Sequence, residues 1–135
     1  MAAHLAHNYG DKALAVAAIA LNDDVTNATA TAGSAPSSPL SARLAHGYPY
    51  LEAEVVYAVK HEYAVTAVDV LAHRTRLAFL NCDAAWSAVP RVVQLMAQLH
   101  AWDDTRSAIE WQRALRFLNT MNRALSAALP EAIFR

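Results

Sequence analysis

Apolar residues recur along this chain at three- and four-residue intervals, the spacing that gathers side chains on one face of an α-helix, and strand-like alternation is not sustained. Ala2 to Tyr9 predicts a short helix broken at Gly10. Asp11 then caps a second helix to about Leu21, with Leu14, Ala17, Ala18 and Leu21 as its apolar face. From Asn22 to about Ala42 the pattern dissolves into Asn, Asp, Thr, Ser, Ala, Gly and Pro, so residues 22–42 are expected to form a long, mobile insertion loop. Pro49 suits the first turn of a third helix, which runs through Leu51, Val55, Ala58 and Val59 to about Glu62. Thr66, followed three residues later by Asp69, has the form of a capping box and opens a short helix to about Thr75. The two helices meet at a tight corner.

Asn81, Cys82 and Asp83 start a further helix in which Pro90 demands a kink or a new start near Ser87. Val92, Val93, Leu95, Met96 and Leu99 form the stripe that follows. Trp102, Asp103 and Asp104 begin the last long helix, with acidic residues at its positive end. Its apolar stripe is Ile109, Trp111, Leu115, Leu118 and Met121, and Arg106, Arg113, Arg116 and Arg123 are left for the outer face. The helix is expected to end near Asn122, with a weaker continuation through Leu125, Leu129 and Ile133. These elements predict one all-α domain over residues 1–135, a compact bundle of about five to six short helices.

Composition strengthens this picture. Apolar residues make up 56% of the 135 residues and charged ones 17%, and much of the apolar share is alanine, the best helix former. A chain of this length can bury a single core. The net charge of −1 and the lack of a basic tract argue against nucleic acid as a partner. No apolar run reaches the roughly 18–20 residues of a membrane span. The single cysteine, Cys82, has no internal partner and reads as a small buried hydrophobe. The start of the chain lacks the form of a secretory signal, and the Asn27 glycosylation triplet therefore has no export signal behind it.

The charged candidates flank the corner. Glu52 and Glu54 begin one helix, and Arg74 and Arg76 follow the next. Across the corner these charges are placed to pair and fix its angle, which is the favoured reading. The functional alternative is that Arg74 and Arg76 grip a phosphate or a neighbouring domain through their fork-shaped donors. His4 and His7 share a helix face at a spacing compatible with metal, but no third ligand completes a site. Tyr48, Tyr50, Tyr57 and Tyr63, with Trp86, Trp102 and Trp111, read first as core. Tyr48 and Tyr50 are also candidate interface aromatics.

Several blocks, in order, carry a resemblance: HLAHNYGDKA at 4–13, YPYLEAEVVYAV at 48–59, EYAVTAVDVL at 62–71, RTRLAFLN at 74–81, AVPRVVQLM at 88–96 and WDD at 102–104. The chain resembles the C-terminal helical domain of the FAD-dependent glycerol-3-phosphate dehydrogenases. It departs from them in the insertion at 22–42 and at His73, where the family usually carries arginine. The resemblance implies a parent enzyme that oxidises glycerol 3-phosphate to dihydroxyacetone phosphate and passes electrons through FAD to quinone. It also implies that FAD and the substrate groups belong to an N-terminal part of the same polypeptide. No Gly-x-Gly-x-x-Gly run and no calcium-binding loop occurs here, so the chain is expected to hold neither cofactor nor catalytic residue. Its expected role is packing or assembly, with a homo-oligomer of the parent as a further expected partner. That parent is expected at the mitochondrial inner membrane, the alternative being a bacterial cytoplasmic membrane. A reading from another class is a free-standing helical interaction module.

Overall fold

The computed structural model describes residues 2–21 and 40–121. The first helix, α1 (Ala2–Tyr9), buries only Leu5 and stops where Gly10 takes a φ of +54°, a conformation glycine adopts without penalty. A single 3-10 turn, Gly10–Lys12, follows, with Asp11 inside it rather than at a cap, and leads into α2 (Ala13–Leu21). The face that α2 buries is not the expected one. Val16 and Ala20 point inward, whereas Leu14 and Leu21 are each 81% exposed. The nine residues of α2 are all apolar, so no polar position marks which side meets water, and the tertiary fit decides.

Residues 22–39, which include most of the expected insertion and the Asn27 triplet, lie outside the described residues. Leu40 to Ala42, the last part of that expected loop, is packed. Leu40 is buried, and the carbonyls of Leu40 and Ala42 accept the N–H groups of Ala53 and Glu52, both at 2.9 Å. These bonds satisfy donors that open the next helix, α3 (Glu52–His61). A two-residue bridge between Arg43 and Leu51 holds the incoming chain extended. Pro49 therefore stays outside α3 instead of forming its first turn. Residues Glu52 to Tyr57 and Ala58 are all buried, which makes α3 a central element.

After α3, Tyr63 adopts a φ of +58° and is 91% exposed. The capping box that follows is formed as the spacing suggests. Asp69 Oδ2 accepts the Thr66 N–H at 2.9 Å, and the Asp69 N–H reaches Thr66 Oγ1 at 3.2 Å. The helix it opens is wider than expected, because Asp69–Arg74 is a π-helix closed by Thr75 N–H to the Val70 carbonyl at 2.9 Å. The Thr75 hydroxyl donates to the same carbonyl at 2.9 Å and is itself buried, which fixes the extra residue in the turn.

A four-residue helix that the spacing does not reveal, α4 (Leu77–Leu80), buries Leu77 and Ala78. Next, Asn81 Oδ1 accepts the N–H groups of Asp83 and Ala84, both at 3.0 Å, and starts α5 (Cys82–His100). This helix runs through Pro90 without a new start at Ser87. Pro90 is on the exposed side, while Ala85, Ala88, Val89, Val92, Val93, Leu95 and Met96 are buried. The Asp103 side chain accepts the Arg106 N–H at 2.7 Å and leads into α6 (Asp104–Met121). The buried stripe of α6 is Glu110, Ala114 and Leu118, whereas Ile109, Trp111 and Met121 are at least 38% exposed. The expected stripe is thus rotated towards Glu110, whose carboxylate is paired with Arg106 and Arg113. Asn122, Arg123, Leu125, Leu129 and Ile133 lie outside the described residues. Helix α5 packs against α3, α4 and α6, and α2 joins α1 to α3.

Candidate functional site

Of the charges expected to pair across the corner, Glu52, Glu54 and Arg74 find other partners. Glu52, buried at the start of α3, is held by Arg91 of α5 in a two-pronged contact, Nε to Oε1 at 2.8 Å and Nη2 to Oε2 at 2.6 Å. Glu54, 1% exposed, accepts the Leu51 N–H at 2.8 Å, the Tyr9 hydroxyl at 3.0 Å and lies 3.0 Å from His4 Nε2. His4 is thereby committed to α3, and its ring meets Tyr50 edge-on at 5.2 Å. Burial first, then the charge and hydrogen bond of Glu54, push the Tyr9 hydroxyl far above the usual tyrosine range. Arg74 donates to the Glu62 carbonyl at 2.6 Å, with its Nε 3.6 Å from the Glu62 carboxylate. Glu110, fully buried, is held through Oε1 by Arg106 at 2.9 Å and Arg113 at 3.0 Å, one turn to either side. Two flanking guanidiniums let a carboxylate occupy the inner face of α6.

A polar concavity lies beside these contacts. An open cleft of about 590 Å³ lies between α1 and the stretch from Arg74 to Leu80. His7, Tyr9, Tyr50, Glu62, His73, Arg74 and Arg76 are among its lining residues. His7 lines this cleft, whereas His4 is turned to Glu54. Tyr50 is 8% exposed, and Tyr48 is half-buried against the core. Burial and the Glu54 charge raise the Tyr50 hydroxyl, opposed by the nearby positive charge of Arg76.

Arg76 has an unusual backbone. Its φ of +57° and ψ of +13° are left-handed, which costs a residue with a side chain on the order of 1 kcal/mol relative to glycine. Among the described residues its guanidinium has no hydrogen bond or ion pair. The sequence reading singled out Arg74 and Arg76 as charges flanking the corner and Tyr50 as an aromatic candidate, and all three line the cleft. It missed Arg91, His4, Tyr9 and Glu62 as partners, because contacts 12 to 50 residues apart leave no local signal. The one readable sign was Glu54 at the third helical position, where a carboxylate can reach back to the chain entering the helix.

A second groove, apolar and about 480 Å³, runs between α5 and α6 beside Val93, Trp102 and Trp111. Cys82 is half-buried and donates from Sγ to the Leu118 carbonyl at 3.2 Å. Among the described residues no group of three or more His, Cys, Asp or Glu gathers as a metal site, and no helix is long and apolar enough to cross a membrane.

Comparison with known proteins gives a consistent result. Residues 1–107 match the family model described as the C-terminal domain of alpha-glycerophosphate oxidase. The chain is 44% identical over 126 residues to a mitochondrial glycerol-3-phosphate dehydrogenase of Arabidopsis thaliana, covering 93% of this chain and 18% of that protein. It is 43% identical over 121 residues to a probable mitochondrial glycerol-3-phosphate dehydrogenase of Dictyostelium discoideum, covering 90% and 17%. With the mitochondrial glycerol-3-phosphate dehydrogenase of Homo sapiens it shares 45% over 118 residues, covering 87% and 15%. The chain thus spans less than a fifth of the length of these relatives. No solved structure matches it.

Proposed function

The chain belongs to the family of C-terminal domains of alpha-glycerophosphate oxidase, and from that premise we propose that it is the helical C-terminal domain of an FAD-dependent glycerol-3-phosphate dehydrogenase, with a packing or assembly role. The observation that carries this reading is the coverage. Identity above 40% extends over about nine-tenths of this chain but under one-fifth of each relative. The parent oxidises glycerol 3-phosphate to dihydroxyacetone phosphate, and FAD supplies the electron transfer there.

This chain's residues do not fit FAD. It has three glycines, and the two described, Gly10 and Gly47, lie far apart in turns. No glycine-rich strand-to-helix turn can therefore bring backbone N–H groups to a pyrophosphate. The start of α3 is closed by Leu40, Ala42 and the Glu54 carboxylate. What the chain offers is surface. Leu14, Ala18 and Leu21 form an outward apolar strip on α2, and a helix apolar on all sides is normally covered on all sides. The rest of the parent polypeptide, which carries the flavin and substrate groups, is the natural cover, with a homo-oligomer of the parent as the next level of assembly. The names of the relatives support a mitochondrial setting for the parent.

The test is direct. The full reading frame should place a flavoprotein segment ahead of these residues, and the purified chain should be colourless and fail to oxidise glycerol 3-phosphate with an artificial acceptor. Turnover by the chain alone, or a frame that starts at Met1 with no flavoprotein ahead, overturns the proposal.

A further inference from the structure

We propose that the cleft between α1 and the Arg74–Leu80 stretch binds a phosphate-type oxyanion, with Arg76 and Arg74 as its cationic ligands. Two residues apart on a regular helix face nearly opposite directions, yet both of these arginines line one cleft. The backbone brings this about. The π-helix ends at Arg74, and Arg76 turns left-handed before α4 begins. Arg74 is already oriented by the Glu62 carbonyl and carboxylate, so it is pre-set for a ligand. Arg76 has no such partner among the described residues, and its planar fork is free to take two oxygens of one anion.

The surroundings suit the same ligand. His7 and His73 line the cleft from different elements and add ring nitrogens, and Tyr50 brings a phenol. Donors from several directions match a tetrahedral group better than a planar carboxylate. The opposing charges are Glu62, which faces Arg74, and Asp69, which lies 3.4 Å from His73. The volume of about 590 Å³ leaves room for an organic moiety behind the phosphate. Glycine would relieve the backbone at position 76, so the presence of arginine there fits a use for its guanidinium.

The experiment is a titration of the 135-residue chain with inorganic phosphate at constant ionic strength, followed by NMR at the Thr75 to Leu77 amides and the arginine Nε–H groups. A parallel titration uses acetate, and thermal melts accompany both. Saturable shifts are expected with phosphate, at least tenfold weaker with acetate. Arg76→Gln and Arg76→Gly should each weaken phosphate binding at least tenfold, with Arg76→Gly melting no lower than the parent chain. Arg116→Gln, an exposed change on α6, should bind normally. The proposal is overturned by a lack of saturation, by acetate binding as tightly as phosphate, by unchanged binding in the Arg76 variants, or by a lowered melting temperature for Arg76→Gly.

Discussion

A carboxylate taken almost wholly out of water must be compensated on all sides, and Glu54 meets that condition through Leu51, Tyr9 and His4. Because those donors come from α1 and from the entry to α3, one side chain ties the two together. Replacing Glu54 with alanine strands them, and the loss should be about 3 kcal/mol. Glutamine keeps an acceptor and should cost less. Urea denaturation of both variants checks this, and a loss under about 1 kcal/mol for alanine would deny Glu54 that role. At Asp69, burial alone would raise the carboxyl, but the N–H groups of Thr66 and Val65, the Thr66 hydroxyl and His73 outweigh it and hold it below the usual range. The folded state therefore binds the proton less readily than the unfolded one. The stabilisation is fully present above pH 3.8, the ordinary value, and is lost as pH falls through the lowered folded value. Acid titration of stability should show a smaller decline in that window for Asp69→Asn than for the parent chain.

Junctions between elements hold most of the backbone strain. Tyr63, Arg76 and Ala101 all have positive φ without being glycine, and each ends or begins a helix. Ala101, at φ +53° and ψ +44°, terminates α5 while the Trp102 N–H turns back to the Ala97 carbonyl at 3.0 Å. No cleft function attaches to it, so Ala101→Gly should stabilise the chain by about 1 kcal/mol, read as a higher urea midpoint. Most of the helices were legible in the sequence because their spacing, caps and breakers agree. Asn81, Gly10 and the Thr66–Asp69 box are examples. What the sequence hid was orientation. Nothing polar marks one side of α2, and on α6 the burial of Glu110 depends on Arg106 and Arg113 neutralising it, which hydrophobic spacing cannot register. The π form of Asp69–Arg74 was hidden for a similar reason, since it depends on where Thr75 donates. The candidate site was half legible. The cleft arginines stood out in sequence, but their separation from Glu52 and Glu54 became visible only once Arg91 and His4 had taken those carboxylates.

At the scale of the whole molecule, α5 is the spine, touching α3, α4 and α6 along its length, and the remaining helices depend on their grip on it. The α5–α6 pair is joined at one end by the turn at Ala101, where His100 and Trp102 stack at 5.4 Å and Arg106 lies 5.5 Å from the Trp102 ring centre. At the other end Cys82 donates to the Leu118 carbonyl. Burial, and then the Asp83 charge, raise that thiol above the ordinary cysteine range, which leaves it a poor nucleophile while the helices are closed. As the sole sulfhydryl in 135 residues, it is a built-in clock for fraying, because a maleimide can capture it only during moments when the far end of α6 lifts away. Capture should therefore run well behind that of free cysteine at neutral pH. Leu118→Ala, which empties a fully buried position beneath the same turn, should quicken it by roughly tenfold or more. Equal capture rates in the two proteins would mean that the sulfur is reached without any such opening.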